Sequence, residues 1–111
     1  MAKHLFTSLI KCSLCDYNFR YIKDREVSKY ICSSYSRQIE NGCTERYSIT
    51  EKELIYLIQI FCNRNHIEME YTNEFMKSII DKVYIDGEND SIIVKYRNGE
   101  EGIYSRSEIF I

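Results

Sequence analysis

Four cysteines constrain this chain more than any other feature. Cys12-Ser13-Leu14-Cys15 forms a C-x-x-C pair, and Cys32 and Cys43 follow at a distance. Two cysteines separated by two residues turn the backbone tightly and aim both sulfurs at one point. Zinc takes four such ligands in tetrahedral geometry, so two more cysteines from a distant segment complete a closed structural site. The first half of the pattern is specific. The second half is less so, because Cys32 and Cys43 are 11 positions apart where a simple ribbon has another C-x-x-C. Two other chemistries use the same residues. Disulfides belong to an oxidising compartment, and a redox C-x-x-C belongs to a βαβ setting, which the pattern here does not suggest.

The compartment follows from the cysteines and from the first residues. Five cysteines is an odd number, and the short apolar run at residues 5–10 has neither a long hydrophobic region nor a small-residue cleavage site. A reducing cytoplasm is expected. No stretch of about 20 apolar residues is present, so no membrane association is expected. The 111 residues suffice for one compact domain or two very small ones. At that size the buried fraction is modest, and a metal staple makes physical sense. There is no proline and there are only four glycines, so nothing reads as a flexible linker.

Net charge is −2, which argues against a strongly basic nucleic-acid binder. The charge is uneven, however. Residues 1–47 carry a net +3 and residues 48–111 a net −5. Any anion-binding face is therefore local and confined to the first part.

The order of elements is legible from periodicity. Residues 18–22 and 29–32 are aromatic and β-branched and read as two strands, with Lys23-Asp24-Arg25-Glu26 turning between them. A hairpin with a knuckle before it and Cys32 at its far end has the layout of a zinc β-ribbon. Thr50-Glu51-Lys52-Glu53 fits a capping box, and Leu54, Leu57, Ile58 and Phe61 form one helical stripe behind it. Cys62, on the same helix, reads as a buried core thiol. A second helix is expected over residues 72–82, with Phe75, Met76, Ile79, Ile80 and Val83 on one face. Residues 83–85, 91–97 and 102–105 read as strands, and Asn98-Gly99 signals a two-residue hairpin turn. The expected fold class is small α+β. A zinc β-ribbon spans residues 1–48, and a short helical hairpin with a C-terminal β-hairpin spans 49–111, packed as one compact module.

These residues resemble a known family. Residues 5–15, from Leu5 to Cys15, are similar to the entry of the recombinase zinc β-ribbon, a module near the C-terminus of large serine recombinases, the phage and transposon integrases. The resemblance continues through Lys29-Tyr30-Ile31-Cys32, Asn41-Gly42-Cys43 and Ile49-Thr50-Glu51-Lys52-Glu53-Leu54, and resumes at residues 79–85, 92–96 and 98–99. In that family the second metal half is widely spaced. The resemblance thus implies one structural Zn2+ held by Cys12, Cys15, Cys32 and Cys43. It also implies a DNA-binding role in site-specific integration or excision, with the ribbon as a major-groove reader. Candidate DNA contacts are Arg20, Lys23, Arg25, Lys29, Arg37 and Arg46, with Tyr21 and Tyr35 packing beside them. The implied partner is double-stranded DNA of the attachment-site type, bound weakly by this chain alone, in a bacterial or phage-infected bacterial cell.

Two departures from the family narrow this reading. The long coiled coil between the helices is replaced by residues 63–71, and no serine here has a resolvase-like setting. No H-E-x-x-H helix, P-loop or paired carboxylates occur either, so the chain is not expected to be an enzyme. His4 and His66 are the only histidines; four thiolates leave no need for either as a ligand, and His66 is expected to be exposed. The rival reading is a standalone phage-type zinc-ribbon protein that binds and regulates a protein partner such as a recombinase.

Overall fold

The structure, a computed structural model, describes residues 4–36, 47–87 and 89–105. Its elements run β1 (Ile10–Cys12), β2 (Phe19–Asp24), β3 (Val27–Cys32), α1 (Ser33–Ser36), β4 (Ser48–Thr50), α2 (Glu51–Arg64), α3 (Asn73–Ile79), β5 (Ile80–Asp86), β6 (Ser91–Tyr96) and β7 (Glu101–Ser105). They form two sheets. One is a three-stranded antiparallel ribbon, β2-β3-β4, and the other is a four-stranded sheet in the order β1-β5-β6-β7. The small α+β class stands, with a ribbon in the N-terminal region.

The β2–β3 hairpin is longer than its sequence suggests. Lys23 pairs with Ser28 and Asp24 with Val27, so only Arg25 and Glu26 form the loop. Both have positive φ, 49° and 68°. Such a loop matches the right-handed twist of the strands. The polar residues of the expected turn include a strand end, where Lys23 is exposed.

Tyr30 pins the ribbon to the rest of the molecule. Its ring is buried, edge-on to both Phe6 and Tyr21. Its hydroxyl donates to Glu51 Oε2 at 2.8 Å and accepts from the Phe6 backbone N–H at 3.1 Å. Burial is the main cause that pushes the Tyr30 phenol well above its usual range.

Helix α2 begins as its capping box requires. Thr50 Oγ1 accepts from the Glu53 N–H at 3.1 Å, and Glu53 Oε1 accepts from the Thr50 N–H at 3.5 Å. The predicted stripe of Leu54, Leu57, Ile58 and Phe61 is buried, with Cys62 beside it. At the other end His66 has φ +57°, the Ile67 N–H bonds the Cys62 carbonyl at 2.8 Å, and the His66 N–H bonds the Asn63 carbonyl at 3.4 Å. This is a Schellman motif with an exposed histidine in the left-handed position that glycine usually fills.

The second helix ends earlier than its periodicity predicts. Thr72 caps α3, its hydroxyl accepting from the Phe75 N–H at 3.1 Å, but the helix stops at Ile79 and β5 starts at Ile80. A bulge between Ile80 and Lys82 explains the misreading. It inserts one residue, so Ile80 and Val83 face the same side although they are three apart. A spacing of three is what a helix produces. The last turn also differs. The Gly99 N–H bonds the Tyr96 carbonyl at 3.1 Å, and the Tyr96 N–H bonds the Glu100 carbonyl at 2.9 Å. The loop therefore holds Arg97, Asn98 and Gly99, three residues rather than two, with Gly99 at φ +92°.

Strand β1 runs parallel to β5, with Ile10 opposite Val83 and Cys12 opposite Ile85. The buried Asn73 holds the lead-in to this strand, donating to the carbonyls of Leu5 at 3.0 Å and Thr7 at 3.3 Å. One continuous core joins Phe6, Leu9 and Ile10 to Tyr30 and Ile49, to the inner face of α2, and to Ile80, Val83, Ile85, Ile92 and Val94. Helix α2 packs on β3. Among the described residues no helix is long and apolar enough to cross a membrane.

Candidate metal centre

Two separate pieces of chain deliver sulfur to one place: the knuckle with Cys12 and Cys15, and the end of β3 with Cys32. Cys12 ends β1, which its pairing with β5 fixes. The knuckle then folds on itself: the Asp16 N–H bonds the Cys12 carbonyl at 2.9 Å, and the Cys12 N–H bonds the Tyr17 carbonyl at 2.9 Å. Asp16 takes the left-handed φ of 65° that this tight turn needs. Ser13 ties the knuckle down through its N–H and Oγ, both of which donate to the Ile85 carbonyl, at 3.0 and 3.1 Å. Cys32 ends β3, opposite Phe19. Its N–H bonds the Tyr47 carbonyl at 3.2 Å.

The Sγ atoms of Cys12, Cys15 and Cys32 all lie within 4.8 Å of one another. Cys12 and Cys32 are fully buried and Cys15 is half-buried. A tetrahedral zinc with thiolates at about 2.3 Å separates its sulfurs by roughly 3.8 Å, so this spacing fits the ion. The soft donor set fits it as well. The Cys15 and Cys32 sulfurs are 3.3 Å apart, well beyond the bond length of about 2.05 Å in a disulfide. The C-x-x-C segment turns between two strands rather than opening a helix, unlike a redox pair. Three sulfurs from two segments are thus gathered in a spacing that suits a metal. Cys43, the fourth sequence-derived ligand, lies outside the described residues.

The neighbouring candidates are sorted just as plainly. His4 stacks flat on Tyr21, ring centroids 3.4 Å apart, and takes no part in the sulfur group. Cys62 sits in the core on α2, and burial pushes its thiol up. Neither joins the metal-binding cluster.

The basic candidates do not share one face. Residues paired across strands lie on the same side of a sheet. Tyr21 and Tyr30 face the core, and Lys23 with Ser28 follows on that side. Arg20 pairs with Ile31, Ile22 with Lys29, and Lys29 with Thr50, so Arg20 and Lys29 lie on the outer face. Arg25 is at the hairpin tip and exposed. Arg37 and Arg46 lie outside the described residues, as does the side chain of Tyr35.

Residues 5–59 match the family model of the recombinase zinc beta ribbon domain. This segment is a recombinase zinc β-ribbon. The match begins in the lead-in to β1, takes in the described cysteines Cys12, Cys15 and Cys32, and ends within α2. No curated protein and no solved structure matches the chain. The recombinase ribbon is a non-catalytic part of those proteins, and its sulfur cluster marks this chain as a zinc-binding, recombinase-related module.

Sequence reasoning missed one residue of the centre. Ser34 is fully buried, and its Oγ lies 3.1 Å from Cys15 Sγ and 3.0 Å from Cys32 Sγ. A serine two places after a cysteine carries no signal by itself. The turn of α1 that folds it back does not show in periodicity.

Proposed function

We propose that this chain is a zinc-stapled DNA-binding module of site-specific recombination machinery. One structural zinc is held by Cys12, Cys15, Cys32 and Cys43, and the ribbon binds duplex DNA of the attachment-site type in a bacterial or phage-infected bacterial cytoplasm. The observation that carries the reading is the three-sulfur cluster inside a segment that matches the recombinase ribbon. The metal supplies no chemistry to a substrate. It fixes the far end of the hairpin and the knuckle, so that side chains on β2 and β3 project from a rigid frame.

Arg20 and Lys29 on the outer face, with Arg25 at the tip, are the described residues best placed to meet phosphates together. Arg37 and Arg46 remain candidates from the sequence. Phosphate contacts position such a module, and base-edge contacts specify its site. The acidic second half keeps contacts few, about three to five, so the salt dependence is shallow and binding by the chain alone is weak. Electrophoretic mobility at two salt concentrations, with a scrambled duplex as control, tests this. Changing Arg20 and Lys29 together to Ala is expected to flatten the log–log salt slope by about 2 and remove most of the affinity, with zinc content unchanged. Lys23→Ala, on the opposite face, is expected to change it less. A double variant that binds as the parent does contradicts the assignment.

A second reading has its own observation. Tyr56 and Ile60 lie one turn apart on the exposed side of α2, and the exposed Tyr71 accepts from Gln59 Nε2 of the same helix at 3.0 Å. This apolar surface suits a protein partner such as a recombinase. A parent chain that binds no duplex even at low salt favours that reading.

A further inference from the structure

Ser34 stands where two of the three sulfurs meet. Its Oγ is within 3.1 Å of both Cys15 and Cys32 Sγ, and the residue has no exposed surface. The placement is built in. The chain enters α1 directly after Cys32, and the Ser33 N–H bonds the Asn18 carbonyl at 3.1 Å, which folds residue 34 back beside the preceding cysteine. A neutral thiol both donates and accepts, whereas a metal-bound thiolate has no proton and only accepts. In the metal-loaded centre the hydroxyl must therefore be the donor, and its single proton serves one sulfur at a time or is shared.

We infer that Ser34 is a positioning residue of the metal centre, whose hydroxyl donates to the thiolates of Cys15 and Cys32 and slows the loss of zinc. The inference rests on the zinc reading above. Four thiolates around one Zn2+ carry a formal charge of about −2, and a charge-assisted hydrogen bond to sulfur disperses part of it. It also fixes the two sulfurs relative to each other before the metal arrives. Groups that hold metal ligands in this way commonly change affinity by about 10–100-fold when removed.

The full chain is loaded with zinc or with cobalt(II) under reducing conditions. Two quantities are read: the rate of zinc transfer to a colorimetric chelator, and the energy of the sulfur-to-cobalt charge-transfer band. Ser34→Ala is expected to speed transfer about tenfold and to move the band to lower energy, because a thiolate that loses a hydrogen bond gives up electrons more readily. Ser33→Ala is expected to leave both as in the parent. Ser34→Thr keeps the hydroxyl but adds a methyl group to a packed site. Its band is expected to stay parental even if its fold is weakened, which separates the hydrogen bond from simple packing. A parental rate and band in Ser34→Ala, or an Ala-like band in Ser34→Thr, overturns the inference and leaves the zinc reading standing. A parent chain that takes up neither metal overturns both.

Discussion

Tyr30 shows how much one residue carries. Its ring fills the space between the ribbon, the lead-in and α2, and its hydroxyl serves the Phe6 amide and the Glu51 carboxylate at once. Tyr30→Phe keeps the ring and removes both bonds. The Phe6 N–H then loses this partner inside the core. The expected loss is about 1–3 kcal/mol in denaturant unfolding of the zinc-loaded protein, the range for a buried polar group left without its partner. A loss below about 0.3 kcal/mol contradicts the clasp. The sequence marked Tyr30 as a strand residue but not as a clasp, because its two partners lie 24 and 21 positions away. The cysteines were legible for the opposite reason. Their chemistry depends on spacing along the chain, which a sequence displays directly. Ser34 shares their site and was not legible, since its role depends on where a turn folds it.

At the scale of elements, the signals that succeeded were local and the ones that failed depended on the sheet. Helix α2 carries its own start signal and a long apolar stripe, and both ends of it are satisfied by its own residues. The periodicity makes α3 too long because the bulge in β5 repeats a helical spacing in a strand. The pairing of β5 with β6 and β1 decides the matter, and strand partners are not encoded in a local pattern. The C-terminus of α2 offers a test. His66 is exposed and holds φ +57°, a conformation that costs residues with a Cβ about 1 kcal/mol or more. His66→Gly is expected to raise stability by about 0.5–1 kcal/mol, seen as a higher denaturant midpoint at unchanged slope. A lower midpoint contradicts the Schellman assignment.

For the whole molecule, the sulfur cluster lies where the two sheets meet. Cys12 comes from β1 of the four-stranded sheet and Cys32 from β3 of the three-stranded ribbon. An ion bound there ties the sheets together, at a point where a short ribbon has little core of its own. The same geometry turns Arg20 and Lys29 outward on the ribbon, while the acidic second half supplies α2, α3 and three strands of the other sheet. A zinc site on which the ribbon depends holds metal through purification. Elemental analysis of the protein, purified under reducing conditions without chelator, measures that metal. About one zinc per chain is expected in the parent and in Cys62→Ala, with loss of zinc in Cys32→Ser. Less than about half an equivalent in the parent, or full zinc in Cys32→Ser, contradicts the zinc site.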